Sequence, residues 1–376
     1  MKFRVERDVL AEAVAWTARG LPVRPPVPVL AGLMLEASTS GLTLSSFDYE
    51  VSARAGVDAD VVDGGTALVS GRLLADISKS LPNRPVEVST DGTKVGVICG
   101  NARFTLLTMP IEDYPSLPDM PASSGTVPSG TFATAVSQVA VAAGRDDTLP
   151  VLTGVRVEVE ADALTLAATD RYRLAVRELS WKPEQSDMST VALVPARTLA
   201  DTAKAFSAES DVTLALATGA TGEGLVGFEA GGRRTTTRLL EGEFPKYRAL
   251  LPNESSSVAT VEAARFVEAV KRVALVAERN SPVRLSFSGG EVVLEAGSGD
   301  EAQASEVLDA TIEGEDIAIA FNPSFLLDGL GAIDAPLVQL AFTTPTKPAV
   351  ITGRVEPDAG ASDDYRYLLM PVRLTG

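Results

Sequence analysis

The chain has 376 residues, 45% of them hydrophobic, with a single cysteine and no histidine. Lacking histidine, it cannot build Ser-His-Asp or Cys-His nucleophilic sites, histidine general bases or most zinc sites; Cys99 alone forms neither an internal disulfide nor a thiolate metal cluster. A net charge of −17 argues against a protein that coats nucleic acid with its whole surface.

A local basic face remains open, because exposed charges are screened beyond about 8 Å at physiological salt. The start, Met1-Lys2-Phe3-Arg4-Val5-Glu6-Arg7, is charged with no apolar run behind it, so no signal peptide is expected. No stretch approaches the roughly 18 apolar residues of a membrane span, and a cytoplasmic location is expected.

In chain order, the first amphipathic helix is expected around Leu10, Val14 and Thr17. A second begins at Ser70-Gly71 and carries Arg72 and Lys79, seven apart and so on one face. Strands at 86–88 and 95–97 follow. The third helix places Phe132, Val136, Val139, Ala140 and Ala143 on one face, with Ser129 as its expected N-cap. Strands at 155–159, 164–168 and 173–177 alternate or run apolar around the Ala161-Asp162 turn. A fourth helix is expected from Val194-Pro195, with Arg197 and Lys204 where Arg72 and Lys79 stood. A fifth carries Phe266, Val270, Val273 and Ala277. The sixth starts at Asn322-Pro323, where Asn can accept from orphan N–H groups and Pro at N1 lacks one.

This order says roughly the same thing three times. Leu73-Leu74-Ala75-Asp76 is matched by Thr198-Leu199-Ala200-Asp201 and by Leu326-Leu327-Asp328. Pro28-Val29-Leu30-Ala31-Gly32 recurs as Pro150-Val151-Leu152-Thr153-Gly154, and weakly as Pro282-Val283-Arg284-Leu285. Asp113-Tyr114-Pro115 recurs as Glu243-Phe244-Pro245. The period is far beyond the roughly 20–50 residues of a solenoid unit, so each copy is a domain. The expected domains are 1–121, 125–252 and 256–376, in an α+β fold with two helices and antiparallel sheets per copy. The joints between them, 118–129 and 252–257, are short and rich in proline and serine.

Enzymatic motifs are weak. Gly222, Gly224 and Gly227 match G-x-G-x-x-G, but no helical run follows, which favours a β-turn region over a dinucleotide site. Asp146-Asp147 and Asp363-Asp364 are paired acids in loops, where carboxylates are usually solvated. Basic residues on helices are more informative: Arg72, Lys79, Arg197 and Lys204, then Arg265, Lys271 and Arg272. They fit either a nucleic-acid face or a solvated face braced by Arg72–Asp76 and Arg197–Asp201 pairs. The last segment, Tyr367-Leu368-Leu369-Met370-Pro371-Val372-Arg373-Leu374-Thr375-Gly376, is apolar and suits a closing strand or a grip on a short hydrophobic peptide.

Together the opening seven residues, Arg24-Pro25 with Pro28-Val29-Leu30, 168–175 (Ala-Thr-Asp-Arg-Tyr-Arg-Leu-Ala), Phe244-Pro245-Lys246-Tyr247-Arg248 and Met370-Pro371-Val372-Arg373-Leu374 resemble the bacterial DNA polymerase III β subunits, the replicative sliding clamps. The resemblance spans the chain. It implies a non-enzymatic, cofactor-free, head-to-tail homodimer of six similar domains. The ring encircles double-stranded DNA regardless of sequence and binds polymerase, clamp loader, and repair and translesion polymerases through short linear motifs. It implies a peptide cleft between the second and third domains at Leu152, Thr169, Arg171, Tyr172, Arg173, Leu174, Pro245, Leu250, Thr346, Pro348, Met370, Pro371, Val372, Arg373 and Leu374. Candidate DNA-facing residues are Arg24, Arg72, Lys79, Arg145, Arg197, Lys204, Lys271 and Arg272. For the dimer seam, Phe104 and Leu106 would meet Leu275, and Arg103 would face Asp300, Glu301 and Glu306. The rival readings are a three-domain enzyme using carboxylates and a β-rich adhesion or assembly scaffold.

Overall fold

In a computed structural model of the chain, all residues are described except 23, 218–223, 253, 278–280, 298–301, 357–359, 361, 363 and 374–376. The helices are α1 (Arg7–Ala18), α2 (Gly71–Ser80), α3 (Ser129–Ala140), α4 (Ala196–Phe206), α5 (Ala263–Ala274) and α6 (Pro323–Gly331). Helical spacing decides which side is buried: Leu10, Val14 and Thr17 on α1, Phe132, Val136 and Val139 on α3, Phe266, Val270 and Val273 on α5. Thr17 is tolerated on that face because its hydroxyl donates to the Ala13 carbonyl at 2.9 Å. No helix among the described residues is long and apolar enough to cross a membrane.

Helix starts follow local chemistry only in part. Asn322 caps α6, its Oδ1 accepting from the Ser324 and Phe325 N–H groups at 2.9 and 3.2 Å. Ser129 is no N-cap: it is the first residue of α3, and its hydroxyl donates to the Glu209 carbonyl, outside the helix. Pro195 closes the strand Ser189–Pro195, and α4 starts one residue later.

The chain packs as two units, each drawing on the middle repeat. Met1–Ser129 with Ala205–Leu239 form one. It holds a five-stranded antiparallel sheet in the order Asp60–Asp63, Lys2–Val5, Val86–Asp91, Lys94–Cys99, Ala102–Leu107. A second sheet runs Gly125–Pro128, Asp211–Ala217, Leu225–Ala230, Arg233–Arg238, Val51–Val57, Gly41–Phe47, Gly32–Ser38, Gly65–Ser70. Within it a strand of the middle repeat pairs with one of the first: Thr237 faces Val51, Thr236 faces Ser52, and Arg233 faces Ala55. Gly224 and Gly227 fall before and within Leu225–Ala230, a strand rather than a phosphate-binding helix start, while Gly222 lies outside the described residues.

Gly130–Lys204 with Leu240–Gly376 form the other unit, around a twelve-stranded antiparallel sheet. Its order is Ser189–Pro195, Gly154–Glu160, Ala163–Thr169, Arg173–Ser180, Tyr365–Leu369, Ala349–Arg354, Leu337–Phe342, Ser257–Glu262, Ala304–Gly314, Glu291–Ala296, Val283–Ser288, Ile317–Phe321. Here the middle repeat meets the third, with Arg173 facing Leu369, Leu174 facing Leu368 and Ala175 facing Tyr367. α6 lies so close to the last strand that a Cβ at Gly329 would strike the Tyr367 ring.

Candidate peptide-binding cleft

The sheet joint between Arg173–Ser180 and Tyr365–Leu369 opens at a turn, residues 170–172. Asp170 Oδ1 accepts from the Tyr172 and Arg173 N–H groups at 3.0 and 3.1 Å. Thr169 adds a second brace, accepting from the Arg171 N–H and donating to the Arg173 carbonyl at 2.6 Å. These bonds hold Arg171 at φ +81°, a left-handed conformation disfavoured outside glycine, asparagine and aspartate. The effect is to push Tyr172 outward, 55% exposed, with its ring stacked 6.2 Å from that of Phe325. Its carbonyl accepts from the Met370 N–H at 2.9 Å, so the C-terminal segment leaves the sheet beside Tyr172.

Beneath the turn, Arg173 is only 4% exposed. Its Nε donates to Asp170 Oδ2 at 2.9 Å, its Nη1 to Asp328 Oδ2 at 2.5 Å, and its guanidinium lies 4.3 Å from the Phe325 ring centre. Burial works against its charge, but hydrogen bonds to Asp328 and Tyr367 and the charge of Asp170 raise its pKa above the usual value. Arg173, Leu174 and Thr169 therefore support the cleft from below rather than line it.

The facing wall is a 3₁₀ turn, Tyr247–Leu250. An open cavity of about 480 Å³ lies between 249–252 and Thr343, Lys347 and Pro348, with Leu250 51% exposed. One buried cluster joins turn, joint and last strand: Ala167, Leu174, Val176, Leu193, Phe244, Tyr247 and Leu368. Leu152, Pro245, Pro348 and Pro371 are half-buried, whereas Thr346, Arg171, Met370, Val372 and Arg373 are exposed. The Val372 N–H donates to the Ala320 carbonyl at 2.8 Å and fixes the tail. Leu374 lies outside the described residues. Phe325, Lys347 and Glu158 escape a reading of the sequence. Glu158 has a signal there: the middle repeat has Tyr247-Arg248 where the first has Leu117-Pro118.

The basic candidates Arg24, Arg72, Lys79, Arg145, Arg197, Lys204, Lys271 and Arg272 are all exposed. Arg72 donates to the Pro22 carbonyl at 3.1 Å, and Lys271 pairs with Glu268 at 2.8 Å. Arg272 is engaged by Glu306 through two bonds of 3.0 and 2.6 Å, so in this chain Glu306 answers Arg272. In the strand Ala102–Leu107, Leu106 is buried in its own core while Arg103 and Phe104 are exposed; Leu275 is 83% exposed; Asp300 and Glu301 lie outside the described residues. Of the acid pairs, Asp146 accepts from the Thr148 hydroxyl and backbone N–H, bonds that hold its pKa low, the wrong direction for a general acid. Asp363 lies outside the described residues.

Three family models match in series, the DNA polymerase III beta subunit N-terminal domain over residues 1–118, the central domain over 126–246 and the C-terminal domain over 248–373. The chain is 67% identical over 376 residues to the beta sliding clamp of Streptomyces coelicolor, covering all of both chains. The crystal structure of the Bacillus subtilis DNA polymerase sliding clamp superposes with a TM-score of 0.92 at 26% identity, covering 100% of this chain and 99% of that one. A Pseudomonas aeruginosa sliding clamp bound to griselimycin gives 0.92 at 27% identity over the whole of both. The three repeats in the fold and the three matched domains in series converge: the chain belongs to the DNA polymerase III β subunit family, the bacterial β sliding clamps.

Proposed function

We propose that two copies of this chain close head to tail into a ring around duplex DNA and act as a non-catalytic processivity factor in the cytoplasm. The ring tethers the replicative polymerase, the clamp loader, and repair and translesion polymerases through short motifs held at Tyr172, Leu250, Pro348, Met370, Pro371 and Val372. The proposed domains are 1–121, 125–252 and 256–376.

The observation that carries this reading is the repeated sheet joint. Twice, the strand after an Asp-led turn meets the last strand of the next repeat: Val51–Val57 with Arg233–Arg238, and Arg173–Ser180 with Tyr365–Leu369. The corresponding third pair is the start of Ala304–Gly314 and the strand Ala102–Leu107. Both leave an edge unpaired within the described residues. Closing them between copies satisfies both edges. Carrying the register over sets Arg103 against Ser305 and Thr105 against Gln303, the places of Arg234 against Arg54 and of Thr236 against Ser52, whose hydroxyls lie 2.6 Å apart. Arg103, Phe104, Leu106, Leu275 and Glu306 then gather at the seam. Arg272 joins them: it occupies the α5 position held by Trp16 in α1 and Gln138 in α3. Trp16 reaches Phe206, and Gln138 reaches Ala332, in each case in the next repeat.

Arg24, Arg72, Lys79, Arg145, Arg197, Lys204 and Lys271 are proposed to line the hole. A few such phosphate contacts give only salt-sensitive binding, with nonspecific dissociation constants of about 10⁻⁴–10⁻⁶ M. That strength permits sliding, and encirclement supplies retention. In the variant carrying Thr105→Cys and Gln303→Cys, oxidation should link two copies covalently. Linked rings loaded onto DNA should stay on circles and run off linear molecules. Equal loss from both would refute the topological reading, and failure to link would refute the register.

A further inference from the structure

Glu158 lies in the strand Gly154–Glu160 between buried Val157 and Val159, and is itself only 4% exposed. A carboxylate so covered is costly unless its oxygens are filled. They are. Oε1 accepts from Arg156 Nε; Oε2 accepts from the Tyr247 hydroxyl at 2.9 Å and from Arg248 Nη2 at 2.5 Å. Burial pushes the Glu158 carboxyl up, but the bonds from Arg156, Tyr247 and Arg248 together hold it below its ordinary value. Two of these donors begin the turn Tyr247–Leu250, which has no side-chain cap of its own. The Tyr247 ring is also set edge-on to Phe244 at 6.2 Å, inside the cluster that underlies the cleft. The first repeat offers an internal comparison. Its matching residue, Glu36, is exposed, and the residues matching Tyr247 and Arg248 are Leu117 and Pro118, which carry no donor for it. The anchor is absent from the first copy and present in the copy whose turn walls the cleft.

We infer that Glu158 is a positioning residue of the cleft: it touches no ligand, but ties the Tyr247–Leu250 turn to the sheet and so fixes where Leu250 stands. The inference rests on the cleft reading given above and adds a residue to it. Without the carboxylate charge the turn stays attached through its apolar packing, but Leu250 samples more positions and a ligand must order it on binding.

The test uses the full-length protein and griselimycin as probe, with affinity read by calorimetry and folding by thermal melting. Glu158→Gln keeps the shape and removes the charge; it should weaken griselimycin about tenfold, the scale of losing charge-assisted hydrogen bonds. Tyr247→Phe removes one hydroxyl and keeps the ring, and should weaken it less. The readout that separates positioning from general destabilisation is a double-mutant cycle with Leu250→Ala. If Glu158 acts through Leu250, the combined loss falls short of the product of the two single losses. Multiplicative losses, or unchanged affinity in folded Glu158→Gln and Tyr247→Phe proteins while Leu250→Ala weakens binding, would overturn this inference alone. Unchanged affinity for Leu250→Ala would overturn the cleft reading and this inference with it.

Discussion

The two sheet joints inside the chain start from one plan and end differently. Both open on the same turn: Asp48 and Asp170 each accept two backbone N–H groups, and Tyr49 and Arg171 sit at φ +77° and +81°. In the first joint the gap behind the turn is sealed by hydroxyls. Tyr114 Oη accepts from the Phe47 N–H at 2.8 Å, and Ser52 and Thr236 share a bond across the strands. Burial pushes the Tyr114 phenol up to about 12, so it stays protonated and neutral. In the second joint those positions are Phe244, Leu174 and Leu368, all apolar, and a buried Arg173 braces the joint against Asp328 of α6. After Arg238 the chain runs on to Leu240, whose N–H donates to the Leu193 carbonyl. After Met370 it leaves as a tail. One joint is closed with polar bonds; the other keeps an apolar opening over a charged brace.

Breaking the brace should have the largest effect. Arg173→Ala leaves Asp170 and Asp328 without their shared cation. Because Asp328 is partly solvated, the expected cost is about 2–3 kcal/mol, below the usual range for a broken buried pair, read by chemical denaturation. A cost near zero would mean the cluster alone holds the second joint. Tyr114→Phe makes the first joint resemble the second and strands the Phe47 N–H, an expected cost of about 1–2 kcal/mol with griselimycin affinity unchanged. The smallest effect is expected at the hydroxyl pair. Ser52→Ala alone should cost about 1 kcal/mol, but Ser52→Ala with Thr236→Val should cost less than the sum of the two, since neither partner is then left unpaired. Simple additivity there would show that the pair does not couple the joint.

How much of this was legible beforehand follows from the range of the interactions. The Asn322 cap and the buried stripes of α1, α3 and α5 are short-range, and they stand in the sequence as written. Ser129 lies inside α3 rather than before it, and its hydroxyl donates to the Glu209 carbonyl, 80 residues away. Arg173 reads as a cleft-lining cation until Asp328, 155 residues distant, takes it inward. Glu158 is hidden by its own strand: Val-Arg-Val-Glu-Val-Glu alternates like a sheet with one wet face, and only the returning Tyr247–Leu250 turn covers that face. The three copies were legible because the repeats could be laid over one another; which strands join them and which side chains seal the joints was not, because both depend on partners from the next repeat.

The two open strand edges have a further consequence for how copies can meet. The free stretch of Ala304–Gly314 carries Glu306 and Asp309, whereas Ala102–Leu107 carries Arg103. An antiparallel pairing of the acidic edge with a copy of itself brings carboxylates together, and like charges set across strands are unfavourable. Charge on an edge also discourages open-ended stacking into fibres. The same few side chains thus give each copy a plug and a socket, and a molecule with one of each can join its like in only one direction.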